Sequence, residues 1–172
     1  QVADKMLQSL REKAAALNEP LELAVISSSF DKLESANYAD ATQYHLPALH
    51  TLDDNGAKQW QLADGSFYFA SPECKEARID ALSKALKEFS PDIIITEQRP
   101  FERGNHSPEL DMLENNLEAF GSPALIGLLR DVPLSPSGGC VGGNPEILVD
   151  TVSNVYDKIL VFSDKNILPI AT

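Results

Sequence analysis

The chain has 172 residues, a formal net charge of −12, 43% hydrophobic and 23% charged residues, and two cysteines. That length suits one domain with a sizeable core. The acidity argues against nucleic acid and anionic membrane surfaces, both of which are bound through basic patches. No apolar run approaches the ~18 residues needed to span a bilayer, and no signal peptide is visible, so a cytoplasmic protein is expected.

Residues 1–18 already read as mid-helix: Val2, Met6, Leu10 and Leu17 recur at helical spacing, with Leu7 alongside. A strand and turn are therefore expected ahead of residue 1. Asn18-Glu-Pro20 stops the helix, and Leu21–Ile26 reads as a strand. Ser27–Asp31 is a loop able to cap a short helix, and Ala41–Leu46 is a second strand closed by Pro47. Residues 47–71 form the least regular region, with turn signals at Asp53-Asp-Asn-Gly56 and Asp64-Gly65 and with Trp60, Phe67, Tyr68 and Phe69 interleaved. Those aromatics anchor the loop to the core or line a pocket.

Ser71-Pro-Glu73 opens a helix whose apolar stripe is Ala77, Ala81, Leu82, Ala85, Leu86 and Phe89, and Ser90-Pro91 ends it. The strand 93–96 and the loop 97–107 follow. Pro108 then starts a helix with the stripe Leu110, Leu113, Leu117 and Phe120, closed by Gly121-Ser-Pro123. A strand over 124–129, a Pro- and Gly-rich stretch over 131–144, a helix over 145–156 and a last strand over 158–162 complete the chain. Strand–helix alternation with short apolar strands predicts a single α/β domain with a Rossmann-like parallel sheet and helices on both faces.

The carboxyl ends of parallel strands carry the site in such folds. Two apolar runs end abruptly in charge: Ile93–Thr96 runs into Glu97 and Arg99, and Ala124–Leu129 runs into Arg130 and Asp131. His106 shares the first loop with Glu97, Arg99, Glu102 and Arg103, where a histidine can act as a general base or contact a ligand hydroxyl. The plainer reading of both junctions is that strand ends are charged because they are wet. No HxH, HExxH or CxxC spacing supports a metal, and GxSxG is absent. Gly138–Gly143 lacks the GxxxxGK[ST] pattern and reads as a flexible loop.

Several of these segments line up in order with a known family. Phe89–Glu97, Arg99-Pro-Phe101, Glu109-Leu110, Leu125–Val132 and Val155–Phe162 resemble the amino-terminal half of predicted two-domain GT-B glycosyltransferases. These are similar to the transferase that adds N-acetylglucosamine in peptidoglycan lipid synthesis. Glu97 stands where that family usually has Asp, Glu102 stands where it has Gly, and Gly138–Gly143 looks like an insertion. The resemblance implies an acceptor-binding GT-B half over residues 1–172. A first strand and a donor-binding C-terminal domain would lie outside it.

It also implies a nucleotide-sugar donor, a sugar or lipid-linked acceptor, and no metal or other cofactor. Glu97 or His106 would be the base, and Arg99, Arg103, Arg130 and Asp131 would hold the acceptor. The alternatives are a nucleotide-sugar epimerase of the same fold, or a non-catalytic module that needs a separate donor-binding partner.

Overall fold

The computed structural model describes residues 2–28, 38–47, 49–54, 57–62, 72–97, 107–129 and 152–161. The fold is mixed α/β, with parallel strands flanked by helices. Contacts divide the chain into two compact units, Gln1–Phe89 and Ser90–Thr172, which are taken one at a time.

The first unit opens with α1, Val2–Leu17. Asn18 ends it with φ 55, and Asn18 and Glu19 return their amides to the carbonyls of Ala15 and Ala14. Asn tolerates that left-handed conformation better than most residues. Leu7 is the buried member of the helix, whereas Leu17, expected on the stripe, is exposed on the last turn. Strand β1, Ala24–Ser27, pairs in parallel with β2, Thr42–His45, in the register Ala24–Thr42 to Ser27–His45. Strand β1 thus starts three residues later than its apolar run suggests. Arg11 of α1 forms an ion pair with Asp40 in the turn before β2, and that hydrogen bond holds the Asp40 carboxyl below its usual 3.8. The pair is exposed, so its contribution to stability is small.

Residues 49–62 correct the expectation of an irregular region. Strands β3, Leu49–Asp54, and β4, Ala57–Leu62, form an antiparallel hairpin with Asp54 opposite Ala57. That register leaves two residues between the strands, Asn55-Gly56, the sequence that two-residue hairpins prefer. The turn signal was legible. The strands were not, because Asp53, Asp54, Lys58, Gln59 and Gln61 dilute the hydrophobic alternation.

Helix α2, Pro72–Phe89, closes the unit. Its core-facing residues are Leu82, Ala85 and Leu86 together with Arg78, while Ala77 is exposed. Tyr44 on β2 feels both burial and the Glu88 carboxylate of α2, which raise its phenol pKa. Ser28, just past β1, accepts a hydrogen bond from Arg78. Tyr44, Ile26 and Ser28 share one face of the strand pair by register, so α2 covers that face.

The second unit is built on a three-stranded parallel sheet in the order β5-β6-β7: Ile93–Glu97, Ala124–Leu129 and Lys158–Val161. Central β6 is buried on both faces through Leu125 and Leu128, as its unbroken apolar run predicts. The flanking strands are not: Ile93 is 56% exposed and Leu160 39%.

Helix α3, Pro108–Asn115, links β5 to β6, and residues 152–155 form a helical turn ahead of β7. The expected helix over 108–120 is in fact interrupted. Asn115 and Asn116 donate their side-chain amides to the carbonyls of Asp111 and Met112, each at 2.7 Å. These bonds compete with continued helix. Asn116 leaves helical geometry, and a 3₁₀ turn at Leu117–Phe120 ends on Gly121 at φ 86.

Right-handed crossovers put α3 and the turn at 152–155 on the same side of a sheet ordered β5-β6-β7. Leu125, Thr96 and Gly127 share one face by register and are buried, with Val161 of the same face exposed, while the opposite face carries buried Leu128 beside exposed Ile93 and Leu160.

The amino end of this sheet carries several hydrogen bonds. Ala124 N–H donates to the Asp92 carbonyl at 2.9 Å. Asp157 takes both backbone groups of Leu125: its N–H donates to the Leu125 carbonyl at 2.9 Å, and its carboxylate accepts from the Leu125 N–H at 2.8 Å. Beside it, the Tyr156 hydroxyl donates to the Glu114 carboxylate near the end of α3 at 2.5 Å. Replacing Asp157 with Ala leaves the Leu125 N–H without its acceptor. We expect a loss of about 1–3 kcal/mol of unfolding free energy, read as a lower urea midpoint. Asp157→Asn, which keeps one acceptor oxygen, should lose less. Equal midpoints for wild type and Asp157→Ala would show that the clamp contributes nothing.

Candidate functional site

The three strands of the second unit finish level with one another. Glu97, the last residue of β5, is in register with Leu128, and Leu129, the last of β6, with Val161. Glu97 is exposed at this carboxyl edge. The two charged junctions singled out in the sequence therefore leave neighbouring parallel strands at one edge. Arg99, Arg103, His106, Arg130 and Asp131, which follow those strand ends in sequence, lie outside the described residues.

The unit holds further polar groups, one beside Glu97 on β5 and others at the start of α3. Thr96 is buried at 7% exposure, and its hydroxyl has no hydrogen-bond partner among the described residues. Its register partner is Gly127, which has no side chain to offer it. Glu109, in the first turn of α3, is 3% exposed. Ser107 occupies the N-cap position of that helix, yet its side chain makes no capping bond. Its carbonyl accepts the amides of Leu110 and Asp111 instead.

Sequence reasoning gave no site role to Thr96 or to Glu109, although Glu109-Leu110 was among the motifs of the resemblance. Glu109 could have been found, since it stands four residues before buried Leu113 and so on the same helical face. Thr96 carries no such signal, because a threonine in a strand is ordinary.

The first unit holds a second polar feature that the sequence reading overlooked. Arg78 is 3% exposed, a rare state for arginine unless it is well bonded. Its guanidinium donates through Nη1 to the Pro47 carbonyl and through Nη2 to Ser28 Oγ at 3.0 Å. Ser28 follows β1 and Pro47 follows β2, so one side chain ties together the carboxyl ends of both parallel strands. On the opposite face of the same strand ends, Ser27 Oγ lies 3.4 Å from His45 Nδ1. The signal for Arg78 was its place four residues before Leu82, on the buried stripe that the reading gave to Ala77.

A groove on α2 lined by Asp80, Ser83, Lys84, Lys87 and Glu88 is an open helical surface of mixed charge and forms no site. Among the described residues no cluster of His, Cys, Asp and Glu could hold a metal, and no helix is long and apolar enough to cross a membrane. No protein-family model, curated protein or solved structure matches this chain.

Arg78→Met would remove both donors and leave the Pro47 carbonyl and Ser28 hydroxyl to find other partners. The expected cost is about 1–3 kcal/mol of unfolding free energy by urea titration. Arg78→Lys should recover only part of it, because an ammonium does not reproduce the planar fork. A variant as stable as wild type would mean that water replaces the guanidinium at both strand ends.

Proposed function

We propose that the chain is the acceptor-binding half of a GT-B glycosyltransferase-like protein, working in the cytoplasm on a sugar or lipid-linked acceptor. The nucleotide-sugar donor would be held by a further domain or subunit. What supports the reading above all is the shared carboxyl edge of β5 and β6, where Glu97 is exposed in register with Leu128. Both charged junctions that resemble the family's motifs issue from that edge, which is where open parallel sheets bind their ligands.

In this reading Glu97 is the candidate base that withdraws the proton from the acceptor hydroxyl as it attacks the donor's anomeric carbon. His106 is the other candidate. Arg99, Arg103 and Arg130 bind the acceptor's anionic group, since guanidinium forks match phosphate oxygens, and Asp131 orients Arg130. No metal is called for, because cationic side chains and helix amino termini can meet the charge on a departing nucleotide.

The test is calorimetric titration of the 172-residue chain with a soluble short-chain isoprenyl diphosphate carrying one amino sugar. Saturable binding is expected. Arg130→Ala should weaken it about tenfold or more, the worth of a charge-assisted hydrogen bond, at an unchanged urea midpoint. Absence of saturable binding would overturn the reading. Unfolding of Arg130→Ala would instead make Arg130 half of a structural ion pair.

A further inference from the structure

We draw no further inference here: the strongest candidate, the apolar face of the β5–β6–β7 sheet that carries exposed Ile93 and Leu160, is a surface patch with nothing among the described residues to show what covers it.

Discussion

Asp157 imposes the constraint on which the second unit depends. A single residue engages both the N–H and the carbonyl of Leu125, and so continues the β6–β7 pairing one step past the start of β7. With Leu125 fixed, the registers Ile126–Lys158 and Ile94–Leu125 follow, and the three strands finish at one level. A slip of one residue would exchange the two faces of a strand. Leu125 would then leave its buried position, and Glu97 would no longer sit beside Leu128.

The two edges of this sheet differ in how their polar groups are partnered. At the amino edge the Asp92 carbonyl, the Asp157 carboxylate and the Tyr156–Glu114 pair supply partners to the strand and helix ends. At the carboxyl edge the Thr96 hydroxyl has no partner among the described residues, and Glu97 is exposed. Open parallel sheets generally place ligands at the carboxyl edge. In the first unit, Arg78 spans the carboxyl ends of β1 and β2.

How much of this was legible in the sequence depends on the strength of the local signal. Strand β6 was read to the residue, because a six-residue apolar run between Pro123 and Arg130 has one sensible conformation. Pro72 and Ser90-Pro91 bounded α2 equally well. The hairpin β3–β4 was missed because polar and acidic residues fill its strands, and the break in α3 because it depends on asparagine side chains competing for helix carbonyls. For the candidate site, the sequence led to Glu97 through the abrupt end of an apolar run. It gave no site role to Thr96 or Glu109, which stand out by their burial. Burial of a polar side chain is a property of packing, and only the fold reveals it.

The most direct test of an acceptor site at the carboxyl edge of β5 and β6 is amide hydrogen exchange of the 172-residue chain, with and without the soluble diphosphate-linked amino sugar. Ligand at that edge should slow exchange in peptides covering 94–98 and 126–130 and leave those covering the amino edge at 156–158 unchanged. Exchange unaltered at saturating ligand, or slowed only at the amino edge, would contradict an acceptor site there.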